Sequence, residues 1–136
     1  MNILYGGLLA GLGMAISMSF GERLGLVKIN LPRIDAEFFF KDRFSKSVTY
    51  WMGLVIHLWT SVSFAAGYFL FKKYGVPHLP GLAAGLLWAI VLWVVFGFTV
   101  SPVTGYGWFG SRAGKWVWLE LLATHCIYGV IVSFCL

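Results

Sequence analysis

Four stretches of this 136-residue chain, residues 3–20, 48–71, 80–100 and 116–136, carry a single formal charge between them, Glu120. A helix needs about 20 apolar residues to cross a hydrocarbon core roughly 30 Å thick. Inside lipid every backbone N–H and C=O must be paired within the protein, and an isolated segment of this length meets that condition only as an α-helix. The expected fold class is therefore an all-α membrane protein, with four transmembrane helices forming one domain over residues 1–136. Composition points the same way. The chain is 60% hydrophobic and 11% charged, with a mean hydropathy of +0.83, whereas a soluble domain carries about 25% charged residues. A water-soluble enzyme, a disulfide mini-protein and a disordered tail are all excluded.

No Lys or Arg precedes Arg23. The first stretch thus lacks the basic n-region of a cleaved signal peptide and reads as a retained helix. The connections after the first and third stretches hold eight Lys/Arg, and the connection between the second and third holds two. The positive-inside bias puts the eight in the cytoplasm and both termini outside, as in a bacterial inner membrane. Tyr50, Trp51, Tyr106, Trp108, Trp116 and Trp118 fall near the cytoplasmic helix ends, where an aromatic belt belongs. The net charge of +5 is accounted for by topology and attraction to anionic lipid. Nucleic acid is not an expected partner, because acids interleave the basic residues.

Within the long first connection, residues 31–44 begin with Leu31-Pro32, and Pro32 suits the first turn of a helix. Leu31, Ile34 and Phe38 share one face, so a short interfacial helix is expected. One face cannot bury Phe38, Phe39 and Phe40 together, which makes these three a candidate docking surface for a partner subunit.

Residues 7–16 align with residues 81–90 at seven of ten positions. His57 and His125 are similarly offset, by 68 residues. The chain is expected to be two similar helical hairpins, related by a pseudo-twofold axis along the membrane normal. Gly7 with Gly11, and Gly81 with Gly85, form small-xxx-small pairs that let helix backbones approach closely in lipid.

His57 and His125 each lie nine residues beyond the start of their stretch, about 13 Å from the cytoplasmic edge and so near the midplane. In a bundle with short connections their helices are diagonal. Two imidazoles at one depth on diagonal helices suit axial ligation of haem b, or hydrogen bonds to a quinone head group, or a proton relay. Structural hydrogen bonds to Thr60, Ser61, Thr124, Tyr128 or Glu120 are the simpler role. No carboxylate is expected at their depth. Glu120 lies about a turn and a half nearer the cytoplasm, and every aspartate sits in the first connection. A zinc site, which needs three or four ligands, is not expected.

Residues 105–110 match G-x-G-x-x-G. That pattern signals a dinucleotide only after a strand in a βαβ unit, and here it follows a membrane stretch ended by Pro102. It reads as an interfacial turn, with its aromatic residues at head-group depth and room to cover a vestibule beneath the histidines. Cys126 and Cys135 are nine residues apart on one stretch, about 13 Å along a helix and too far for a mutual disulfide.

Gly-Leu-x-Ala-Gly in the first and third stretches, Leu31-Pro32-Arg33-Ile34-Asp35, His57, and Thr124-His125-Cys126-Ile127-Tyr128-Gly129 together resemble a family of small four-helix bacterial integral membrane proteins of unknown function. The resemblance implies four helices and singles out the two histidines. It implies no activity. Three functions are expected in turn. The first is an accessory, structural subunit of a larger respiratory or photosynthetic membrane complex, with lipids and other membrane subunits as partners and no catalysis or cofactor of its own. The second is a haem b or quinone-binding bundle in electron transport, using His57 and His125. The third is a small oligomeric transporter.

Overall fold

The computed structural model describes residues 2–40 and 43–136. Six α-helices succeed one another: α1 Ile3–Arg23, α2 Leu31–Phe40, α3 Lys46–Leu70, α4 Gly81–Phe98, α5 Val100–Val103 and α6 Val117–Cys135. No strand occurs among the described residues. Four segments are long and apolar enough to cross a membrane: Ile3–Arg23, Lys46–Gly75, Gly81–Val103 and Val117–Cys135. These are the four anticipated stretches, with ends shifted by a few residues. Lys41 and Asp42, inside the expected interfacial segment 31–44, lie outside the described residues, as does Met1.

Local chemistry sets the helix ends. The Asn2 side chain accepts from the Leu4 N–H at 3.1 Å and caps α1. At the other end Gly25 turns left-handed (φ +71°), and the Leu26 N–H returns to the Gly21 carbonyl at 2.8 Å, which satisfies a terminal acceptor. Ser45 caps α3, which runs on into a π-helical turn, Phe71–Gly75. The third span is broken at Thr99, so that α4 and α5 are separate helices. Pro102 is the cause: it lacks an N–H, and its ring crowds the carbonyl four residues back, that of Phe98.

The packing order is set by small residues. α1 packs on α3 and on α6, and α6 packs on α4. A Cβ added at Gly7 would come within 2.5 Å of Val62 Cα, and one at Gly11 within 2.5 Å of Ser61 Oγ. Gly85 faces the Gly129 backbone too closely to admit any side chain, whereas a Cβ at Gly81 would meet only the Ser133 carbonyl at 3.5 Å. Lipid tails are as apolar as leucine, so close van der Waals packing is what holds such helices together. α3 and α4 are joined by a short connection, yet their backbones stay apart, linked at one end where the Tyr68 hydroxyl donates to the Gly81 carbonyl at 3.1 Å. The Trp88 indole stands between them against Gly67, and its ring lies 5.3 Å from that of Phe71.

α2 differs from its expected form. Its buried residues are Leu31, Pro32, Ile34 and Ala36, while Phe38 is 45% exposed. The reason is Gly53 of α3. The Pro32 carbonyl and the Ala36 methyl both press on the space where Gly53 has no side chain. That contact rotates α2 so that Pro32 and Ala36, rather than Phe38, join Leu31 and Ile34 against the bundle.

Replacing Gly85 by Ala is expected to lower stability by about 1–3 kcal/mol through overpacking. Gly81→Ala should cost less than half as much. Thermal unfolding in detergent, followed by the helical circular dichroism signal, checks both.

Candidate intramembrane histidine site

The interior face of α3 is a stripe at four-residue spacing: Thr49, Gly53, His57, Ser61 and Ala65 are all buried. α6 answers with Leu121, Thr124, His125, Tyr128 and Gly129. Small side chains on α3 leave room for the two imidazoles, and both are 6% exposed. The Tyr128 hydroxyl donates across the bundle to the Ser61 carbonyl at 2.6 Å. The Ser61 hydroxyl donates to the His57 carbonyl at 2.7 Å. The two histidine-bearing helices are thereby linked directly, although neither packs extensively on the other.

His57 has a partner that the sequence did not assign to it. Its Nδ1 lies 3.0 Å from Asp35 Oδ2. The expectation that no carboxylate reaches this depth is corrected: docking of α2 at Gly53 carries Asp35 into the bundle, where its side chain keeps 22% exposure. A carboxylate behind an imidazole fixes the ring's orientation and strengthens the opposite nitrogen as a base or ligand. The signal was present in the sequence. Asp35 stands four residues beyond Leu31 and next to Ile34, both of which face the bundle.

His125 is held differently. Its Nδ1 lies 2.6 Å from the Leu121 carbonyl, which also accepts from the Thr124 hydroxyl at 2.9 Å. The Phe96 ring stacks obliquely on it, with centroids 5.7 Å apart. Of the hydrogen-bonding partners expected for the histidines, Ser61 reaches His57 only through the backbone. Glu120 reaches neither, because it accepts instead from the Lys28 N–H at 2.9 Å.

Both histidines line one cavity of about 100 Å³, together with Asp35, Thr60, Leu92, Phe96 and Tyr128. His57 Nε2 is buried and has no hydrogen-bond partner among the described residues. An orphaned buried nitrogen is costly and is a reason to look for a ligand or an ordered water. Phe64 and Val95 also line the cavity, yet they are 39% and 48% exposed on the outer surface. The cavity therefore reaches the outer surface of the bundle in the seam between α3 and α4. Among the described residues, no group of three or more His, Cys, Asp or Glu side chains is arranged to hold a metal ion. Cys126 and Cys135 are both free thiols.

The G-x-G-x-x-G segment is a structural loop. Gly105, Gly107 and Gly110 take φ of +88°, +73° and +76°, backbone that side-chain-bearing residues rarely adopt. The buried Ser101 hydroxyl ties the loop together, donating to the Gly107 carbonyl at 2.6 Å and accepting from the Gly110 N–H at 2.9 Å. Phe109 folds back onto Gly97 and the Trp93 ring. Burial raises the Tyr106 phenol above its ordinary range, and the neighbouring Glu37 carboxylate of α2 adds to the shift, opposed by Arg33. Phe38 and Phe39 stay 45% and 60% exposed, in edge contact with each other at 5.1 Å, and Phe40 is half-buried against Phe44 at 5.7 Å.

The chain matches no family model, no curated protein and no solved structure.

A double-mutant cycle between Asp35→Ala and His57→Ala is expected to give a coupling energy of about 1 kcal/mol or more, since either single change strands a buried partner. Thermal unfolding of the four forms in detergent measures it. Additive single effects would mean that the pair contributes nothing.

Proposed function

We propose that this four-helix protein binds the ring of a small lipid-soluble molecule of the quinone class between His57 and His125. The single observation behind this reading is that His57, whose buried Nε2 has no hydrogen-bond partner among the described residues, lines a cavity together with His125. Asp35 orients His57, Leu121 orients His125, and Leu92 and Phe96 supply apolar walls. Ligand sites of this kind combine apolar walls with a few placed polar groups. Cavity size favours a ring over haem b. An engineered dry cavity of about 150 Å³ accepts benzene, and about 100 Å³ with an open mouth is of that order. Pockets that enclose larger ligands run to about 300–1,000 Å³. A tail attached to the ring would leave through the α3–α4 seam past Phe64 and Val95.

Titration of the purified protein in detergent with a short-chain benzoquinone/benzoquinol pair, followed by calorimetry, tests the reading. Saturable binding is expected, weakened about tenfold or more by His57→Ala or His125→Ala, as the loss of one hydrogen bond to a buried group implies. Absence of binding by either form would refute it.

A second reading, an accessory subunit of a larger membrane complex, draws on α2. Phe38 and Phe39 project from a helix that the bundle already anchors through Leu31, Pro32 and Ile34. Membrane subunits that copurify in gentle detergent should be lost on Phe38→Ser/Phe39→Ser. A partner list that does not change rules out docking at these residues.

Two further features belong to this reading. The hairpins α1–α3 and α4–α6 are copies about an axis along the membrane normal. In support, Gly11 meets Ser61 where Gly85 meets Gly129, and Ser61 and Gly129 are separated by the same 68 residues as the histidines. α2 enters the bundle from the cytoplasmic side of a bacterial inner membrane with both termini outside, as the distribution of Lys and Arg implies.

A further inference from the structure

The two histidines are hydrogen-bonded through the same ring nitrogen. His125 Nδ1 meets the Leu121 carbonyl, and His57 Nδ1 meets the Asp35 carboxylate. A carbonyl oxygen only accepts, so Nδ1 of His125 carries the ring hydrogen, and Nε2 of the neutral ring is left as a bare lone pair. A carboxylate oxygen likewise accepts from Nδ1 of His57, and the neutral ring then carries the same tautomer, with Nε2 as the acceptor. The neighbouring hydroxyls do not reverse this polarity. The Tyr128 hydrogen is given to the Ser61 carbonyl, the Ser61 hydrogen to the His57 carbonyl, and the Thr124 hydrogen to the Leu121 carbonyl. Thr60, the remaining hydroxyl that lines the cavity, serves as donor or acceptor alike.

We infer that the cavity selects the hydroxyl-bearing form of the ring, a quinol or phenol, over the carbonyl-bearing quinone; this rests on the reading of the cavity as a ring site. A quinol O–H would donate to the orphaned His57 Nε2, with His125 as the second acceptor. A quinone carbonyl would bring an acceptor against acceptors. Asp35 is a positioning residue in this arrangement. It touches no ligand, but by holding the hydrogen on Nδ1 it decides which way His57 Nε2 bonds.

The experiment compares matched short-chain quinol and quinone binding to the purified protein in detergent, under anaerobic conditions that keep the quinol reduced. The wild-type protein is expected to bind quinol about tenfold more tightly, the difference one well-placed hydrogen bond makes. In Asp35→Asn the amide can donate to Nδ1 and let the ring hydrogen move to Nε2. The preference should then shrink to about threefold or less while binding itself persists. Quinone bound as tightly as quinol by the wild-type protein overturns this inference and leaves the ring site standing. Binding of neither form overturns both. An unchanged preference in Asp35→Asn overturns the role given to Asp35.

Discussion

Close approach of helix backbones is the interaction on which the rest of this structure depends. Gly7 and Gly11 bring α1 onto α3 at Ser61 and Val62, and Gly85 brings α4 onto Gly129 of α6. In lipid the gain on association comes from packing and interhelical hydrogen bonds rather than from expelling water. Helices therefore sit tight where glycine permits and stay apart where a large ring intervenes. Trp88 is that ring between α3 and α4. Two tight pairs, bridged by α1 on α6 and splayed at one seam, leave an interior space, and His57 and His125 face it.

The same rule explains why α2 belongs to the bundle. Gly53 is the glycine of the buried stripe of α3, and the Pro32 carbonyl of α2 fills the space where a side chain would stand. Once α2 is seated there, the pitch of its helix leaves Asp35 beside His57, one turn further along α3. A charged group in a membrane is expensive unless it is paired or reaches water. Asp35 has both reliefs, an imidazole partner and residual exposure. The site therefore sets a polar pair, Asp35 and His57, against the apolar walls of Leu92 and Phe96.

Much of the candidate site could be read from the chain. His57 and His125 stood out because an ionisable side chain within a membrane stretch is rare, and helical rise placed them at similar depth. Their convergence on one cavity follows from that placement. Asp35 was missed because it was classed with the charges of a surface connection. The decisive fact, the docking of Pro32 on Gly53, is a contact between residues 21 positions apart that no periodicity encodes. The apolar face of α2 was misjudged at Phe38 for the same reason. A 10-residue amphipathic pattern leaves the helix free to rotate until its neighbour is known.

By itself the sequence determined the number and extent of the apolar crossings, since hydrocarbon thickness converts directly into residue count and lipid forbids unpaired backbone. It also determined the loop at residues 105–110, where Gly105, Gly107 and Gly110 permit the left-handed backbone and Pro102 breaks the span before it at Thr99. Only the tertiary structure decided that α3 and α4 part around Trp88, that His57 has a carboxylate behind it, and that its Nε2 has no partner among the described residues. Those outcomes depend on which atoms meet between helices. Membrane helices share one apolar composition, and their pairing is chosen by the fit of individual side chains and gaps rather than by hydrophobic pattern.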